Sequence, residues 1–548
     1  MAALVVGPML RFVGETQATI WVELDEPARV EVLGRTATSF EVAGHHFALV
    51  VVEGLEPGAT VPYQVALDGR TVWPPPGSPF PPSVIRARRP DGRRARVAFG
   101  SCRLARPNRP PWDLPASRDH THAGLDALRA LALRLARGGP DGLPDLLLLL
   151  GDQVYADAVS PETAAFIRGR RDVSRPPGDE VADFEEYTRL YREAWTEPAV
   201  RWLLSTVPIG MIFDDHDVHD DWNTSAAWVE RMNARPWWAE RHTSALASYW
   251  VYQHLGNRSP AELEADRDWA RIRAAGDATG LLREAVQTRR LGGWRWSWRR
   301  DLGGVRLVTI DSRCGRVLDP GRRSMVDEPT WDWLEEQVAG GVEHLVLATT
   351  LPFALPHAAH HLEAWNEAVC DGAWGGLAAR AGEWLRQAID LEHWAAFHRS
   401  FNRLGGMLAE VAAGRRGPAP SSVTLLSRDV HFAYLAELHP PGGATSPVHQ
   451  VVCSPFRNPL DPRLRLANRL AFTAPVTAVT AALARLAGTA PDAVGWRVLR
   501  GPHFDNQVGE LELDGRAARV RIERPVAGPD GQPALEPLLA RELARERR

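Results

Sequence analysis

DLLLLLGDQVYAD, Asp145–Asp157, sets five consecutive leucines before a glycine, and two aspartates and a tyrosine follow within six residues. A short apolar run that stops at a turn signal reads as a buried strand, here with polar side chains placed just past its end. Gly151 lets the backbone approach closely, and Asp152 can project from the end of the strand. Taken alone, Asp152 could equally cap a helix.

The same design recurs outward along the chain. RVAFGSC (Arg96–Cys102), PIGMIFDD (Pro208–Asp215), VRLVTID (Val305–Asp311), HLVLATT (His344–Thr350) and SVTLLSRD (Ser422–Asp429) are further candidate buried strands. Between them, AGLDALRALALRLARGG (Ala123–Gly139) and the stretch Phe184–Leu204 carry apolar residues on a helical period. Strands alternating with helices predict an α/β core. Before it, from Leu4 to about Arg89, ATIWVEL, ARVEVLG, HFALVVVEGL and VPYQVALDG are short β-type runs separated by turn signals such as Asp68–Gly69, which predicts a small sandwich. LEPGATVPYQV, Leu55–Val65, resembles a turn of fibronectin type III domains, with Val61 where a tyrosine would stand. The proline-rich WPPPGSPFPPS then reads as a stiff link.

The boundaries expected are a β domain over 1–90, a large α/β domain over 91–525 and a helical tail over 526–548, arginine-rich from Ala534 onward. VGELELDGRAARVRIE reads as a hairpin closing the large domain. The tryptophan-dense stretch from Ala226 to Trp298, with WWAERH and GGWRWSWRR, reads as core or lid packing rather than a ligand box.

Composition narrows the function. With 548 residues, 45% of them hydrophobic and 24% charged, the chain can bury a large core and divide into more than one domain. Its 64 basic and 68 acidic residues leave a net charge of −4, which gives no global attraction to nucleic acid or anionic membranes. Every basic side chain other than histidine is arginine. Four scattered cysteines, no recognisable secretory leader and no apolar run long enough to span a bilayer lead to the expectation of a cytoplasmic protein.

In open α/β sheets, ligands bind beyond the carboxyl ends of the strands, so polar groups distant in sequence can share one site. Those ends carry Cys102, Asp152, Tyr155, Asp214 to Asp217, Asp429 and His431. A thiol, a phenol, an imidazole and several carboxylates form a mixed donor set suited to a hard cation beside iron or zinc. FDDHDVHDDW (Phe213–Trp222) offers Asp214, Asp215, His216 and Asp217 directly behind its strand. Asp157, Asp220 and Asp221 read as turn or supporting residues, Asp221 within reach of a cation.

In order along the chain, FGSC, GDQVYAD, FDDHDVHDDW, LVTIDSR, DLEHWAAFHRSFNRL, SRDVH and PHFDNQVGELELDG resemble the PhoD-like alkaline phosphatase and phosphodiesterase family, a branch of the calcineurin-like metallophosphoesterases. The opening GPMLRFVGETQATIWVEL is similar to that family's N-terminal β domain. The resemblance implies a four-layer αββα sandwich holding Fe3+ and Ca2+, although other divalent metals would also suit the donors. It further implies that Cys102, Asp152, Tyr155 and His431 bind iron, that Asp152 bridges, and that Asp215 and Asp429 hold the neighbouring cation. His216 would contact phosphate or protonate the leaving group. A di-metal site without cysteine or tyrosine ligands stays open.

The implied reaction is hydrolysis of phosphate monoesters or diesters, a metal-bound hydroxide attacking phosphorus. Its partner would be a small phosphoester; no protein partner or membrane is implied. A metal-stabilised binding protein and a nuclease are the rival readings, with nucleic acid entering only as a substrate. Members of the family are often exported. Arg428 departs from the pattern, standing where glycine is usual; it could bind substrate phosphate, crowd the pocket or point away. Asp327 and Thr330 depart too, replacing glycine and glutamine before Trp331. Arg313, in IDSRCGR, is a second candidate phosphate clamp.

Overall fold

In the computed structural model, which describes residues 1–115, 122–287 and 295–545, the five leucines form strand Leu146–Leu150 and alternate between two cores. Leu147 and Leu149 face a helical layer, whereas Leu146, Leu148 and Leu150 face a second sheet. A strand buried on both faces has no polar side to display, which is why the run is unbroken.

Its sheet has six strands in the order Ile209–Ile212, Leu146–Leu150, Arg94–Gly100, Val508–Asp514, Ala517–Ala527 and Pro533–Ala544. The first three are parallel and the rest antiparallel. The facing sheet has seven strands, Trp298–Leu302, Val305–Ile310, His344–Thr349, Ser422–Ser427, Val448–Val452, Ala433–His439 and Gly495–His503, with a parallel centre. Val97, Phe99 and Leu511 of one sheet meet Val346, Leu426 and Val451 of the other in the central core. Helices including Ala127–Gly138, Phe184–Trp195 and Trp238–Tyr249 cover the outer face of the first sheet, and Glu328–Gln337 and His398–Ala412 cover the second. The result is the expected αββα sandwich.

Gly210 permits the two sheets to meet at their edge: a Cβ there would lie 2.5 Å from the indole of Trp298. That indole instead donates to the Met211 carbonyl at 2.9 Å. The tryptophan-rich stretch is core: Trp228, Trp238, Trp269 and Trp296 are buried under the helical layer. Gly292, Gly293 and Trp294 lie outside the described residues.

The N-terminal region is a sandwich of two four-stranded antiparallel sheets around Ile20, Val22, Val50 and Val65. Arg11, fully buried, ties it to the large domain by donating to the carbonyls of Tyr252 (2.9 Å) and Gln253 (2.5 Å).

The C-terminal tail corrects the sequence reading. Pro533–Ala544 is not a helix but the last edge strand of the six-stranded sheet. Its leucine-, alanine- and arginine-rich sequence favours a helix locally, yet Leu539 pairs with Ile522, and Leu539 and Leu543 reach the core between the sheets. Tertiary burial overrides propensity here. Residues 546–548 lie outside the described residues. Among those described, no single helix is long and apolar enough to cross a membrane.

Candidate metal centre

The parallel strands of both sheets end at one pole, and the polar residues beyond them converge there. Cys102 follows Arg94–Gly100, Asp152 follows Leu146–Leu150, Asp214 and Asp215 follow Ile209–Ile212, Arg313 follows Val305–Ile310, and Asp429 and His431 follow Ser422–Ser427. Cys102 (φ 55°), Asp152 (φ 44°), Asp429 (φ 83°) and His431 (φ 55°) all occupy the left-handed region. Such backbone costs roughly 1–3 kcal/mol per residue and persists where the surrounding structure enforces it, commonly at functional sites.

Cys102, Asp152 and His431 bring ligand atoms within 4.8 Å of one another. The Tyr155 hydroxyl lies 3.5 Å from Asp152 Oδ2 and accepts from Asn458 Nδ2 at 3.1 Å. His431 Nδ1 lies 2.9 Å from the Asn458 carbonyl, which fixes Nδ1 as the protonated nitrogen and leaves Nε2 as the electron-pair donor. Burial lowers the pKa of His431, so the ring is held neutral. Burial also pushes the Cys102 thiol up to about 12 and the Tyr155 phenol well above its ordinary value. Thiolate and phenolate would therefore form against a cation and not without one. Four donors of this mixed character fit one cation.

Asp152, Asp214 and Asp215 form a second buried cluster, but cationic side chains already fill it. Arg428 has no exposed side-chain surface. It donates from Nη1 to Asp152 Oδ2 (2.6 Å), from Nη2 to Asp152 Oδ1 (2.9 Å) and from Nε to the Leu150 carbonyl (2.8 Å). Nη2 also contacts Asp214, and Nη1 lies 3.2 Å from Asp429 Oδ1 and 3.4 Å from Cys102 Sγ. Arg313, equally buried, pairs with Asp214 and Glu392 and approaches Asp215 Oδ1 at 3.1 Å. Against the cost of burial, these carboxylates raise both guanidinium pKa values further. Two expectations are thereby corrected. Neither Arg313 nor Arg428 presents a free fork to a phosphate, because both lie below the surface and bind carboxylates. Asp215 and Asp429 face side-chain cations instead of an open position.

Asp429 Oδ2 lies 3.0 Å from His393 Nε2, and His393 Nδ1 lies 2.6 Å from Glu363 Oε1. Burial opposes a charged His393, but Glu363 and Asp429 outweigh it and raise the ring to about 10. His216 is partly open to solvent, its side chain 22% exposed. Its Nδ1 lies 3.0 Å from Asp157 Oδ2, which also accepts from the Asp220 backbone at 2.6 Å, and its ring packs 4.8 Å from that of Tyr155. Burial disfavours its charge, but Asp157 and Asp215 raise its pKa well above 6.5. Asp217 ties the two ligand loops together, accepting from the Gln153 and Val154 backbone at 3.2 Å each.

Three contributors carry no assigned role in the sequence reading: His393, Glu392 and Asn458. Their spacing gives no signal, although His393 and Glu392 sit inside DLEHWAAFHRSFNRL, which does.

A family model described as PhoD-like phosphatase matches residues 132–459, and one described as a domain of unknown function (DUF7800) matches residues 1–85. No curated protein matches by sequence. Among solved structures, a structure of PhoD superposes with a TM-score of 0.57 at 13% identity, covering 99% of this chain and 92% of that one. A maltogenic amylase from S. marinus (TM-score 0.16, 8% identity, 96% of this chain and 80% of that one) and a cyclomaltodextrinase (0.16, 10%, 99% and 97%) share no comparable fold.

Proposed function

Since the chain belongs to the PhoD-like phosphatase family, we propose that it hydrolyses phosphate monoesters or diesters at the pole where Cys102, Asp152, Tyr155, His216 and His431 meet. One observation carries this reading: Cys102, Asp152 and His431, from strands of both sheets, direct ligand atoms to within 4.8 Å of one another beside a half-buried, carboxylate-held histidine. A cation at these donors supplies Lewis-acid polarisation of the phosphoryl group. The thiol and phenol favour iron.

His216 does the proton work. Asp157 holds its Nδ1–H, which leaves Nε2, 3.6 Å from the exposed Asp220, as the nitrogen for the substrate. A charged imidazole so placed binds a phosphoryl oxygen and gives its proton to the departing oxygen, a contribution of about 10²- to 10⁴-fold. Asp157 orients the ring and keeps it protonated. Asn458 orients His431 by its carbonyl and Tyr155 by its amide. Arg313 and Arg428 hold the carboxylates of the loops in place.

The test is a hydrolysis panel of an aryl phosphate, a bis-aryl phosphate and single-stranded DNA, with metal analysis of the same preparation. Ester turnover with bound iron is expected, together with a visible tyrosinate-to-iron charge-transfer band that Tyr155→Phe abolishes. Full activity in iron-free protein would overturn the iron assignment. Preference for the DNA strand would favour a nuclease.

A further inference from the structure

We propose that the guanidinium of Arg428 takes the place of a second cation, so that this centre is built for a single metal ion. The inference rests on the reading that Cys102, Asp152, Tyr155 and His431 hold a metal.

A second cation sharing Asp152 with the first would have to take a carboxylate oxygen from Asp152 and further oxygens from Asp215 and Asp429, at roughly 2–2.6 Å. Arg428 lies among these groups. Its terminal nitrogens take both oxygens of Asp152 at 2.6 and 2.9 Å, and they lie 3.2 Å from Asp429 Oδ1 and 3.9 Å from Asp215 Oδ1. Asp214 closes the remaining side. The planar fork matches a carboxylate bidentately and stays charged at any pH the fold survives, so neither proton loss nor competition at neutral pH frees the position.

The side chain is also fixed from behind. Nε donates to the Leu150 carbonyl at 2.8 Å, and the Arg428 backbone N–H donates to the Thr350 carbonyl at 3.1 Å. The chain has cleared space for it: a Cβ at Gly151 would lie 2.7 Å from Nη2. Arg313 reinforces the arrangement, supplying positive charge to Asp214, Asp215 and Glu392. Charge that divalent ions would otherwise bring to these carboxylates comes from two arginines. What remains for a metal is the Cys102, Tyr155 and His431 side of Asp152.

The experiment counts metal and does not depend on turnover. Purified wild type, Arg428→Gly and Arg428→Lys are analysed for metal by mass spectrometry and titrated with Ca2+ and Mn2+ by calorimetry. The expected result is one tightly held equivalent per chain in wild type and in Arg428→Lys, and one additional divalent equivalent in Arg428→Gly. That extra equivalent should vanish in the double variant Arg428→Gly/Asp215→Asn, which assigns it to this cluster. Two equivalents in wild type, or no gain in Arg428→Gly, overturn the inference. Should the glycine variant not fold, the wild-type count decides alone. Absence of ester turnover would sink the phosphoesterase reading while the gain on Arg428→Gly is still read.

Discussion

His216 and Asp157 form a pair whose chemistry sets a pH limit. A general acid works while it is protonated, so activity is present below the His216 pKa and lost as pH rises through it. Asp157 and Asp215 raise that pKa well above 6.5, so the proposed general acid should keep activity into the alkaline range. Asp157→Asn removes the largest raising influence, and the alkaline limb of the kcat/KM profile should move to lower pH. His216→Asn should lower kcat by about 10²-fold or more and, with the contact to the phosphoryl oxygen lost, raise KM as well. Arg313 makes a different prediction. Arg313→Ala takes one of the two guanidinium partners from Asp214 and from Glu392, which keep Arg428 and Arg316, and leaves Asp215 with only a distant one; breaking buried pairs costs up to about 3–5 kcal/mol, so a thermal melt should show a clear loss of stability. That Cys102, Asp152, Tyr155, Asp215, Asp429 and His431 gather at one pole was legible in the sequence, because each stands just past an apolar run. The direction of Arg428 was not. An arginine beside ligands reads the same whether it points to solvent or into a carboxylate nest, and the nest is assembled from residues more than 200 positions away.

Among elements, the turn after Leu146–Leu150 carries the most constraint. Gly151 has φ 91°, and a Cβ there would lie 2.7 Å from both Arg428 Nη2 and Asp214 Cβ. Gly151→Ala should destabilise the fold by about 1–3 kcal/mol through the backbone alone and displace Arg428 as well. A lowered melting temperature together with altered metal content would check both effects; an unchanged melt would contradict the packing. The strand itself was readable from its five leucines, since only a strand buried on both faces needs apolar residues at every position. Pro533–Ala544 was unreadable for the opposite reason. Nothing in EPLLARELA alternates, and Leu539 and Leu543 find their places only because Ala517–Ala527 waits beside them.

The whole molecule carries a pH dependence separate from catalysis. His449, on strand Val448–Val452 and 6% exposed, is pushed down to about 4 by burial. An unfolded histidine takes its proton near 6.5. Stability is thus complete above about 6.5 and falls as pH drops toward 4, because the unfolded chain binds the proton first. By pH 5 this residue should cost about 2 kcal/mol, and His449→Gln should narrow the difference in melting temperature between pH 7 and pH 5. At this scale the sequence showed a β domain followed by an α/β domain, but not how they join. Arg11 reaches across 241 positions to the Tyr252 carbonyl, a contact that no local pattern announces.

Strand Arg94–Gly100, which leads to Cys102, pairs on one side with Leu146–Leu150 and on the other with Val508–Asp514. During synthesis its second edge stays bare until a partner more than 400 positions further along has been made. For most of that time the half-built sheet presents an unpaired apolar edge, the feature that invites association with other chains. A chain that stops before Val508 lacks this partner strand, and the loop that carries Cys102 loses its support on that side.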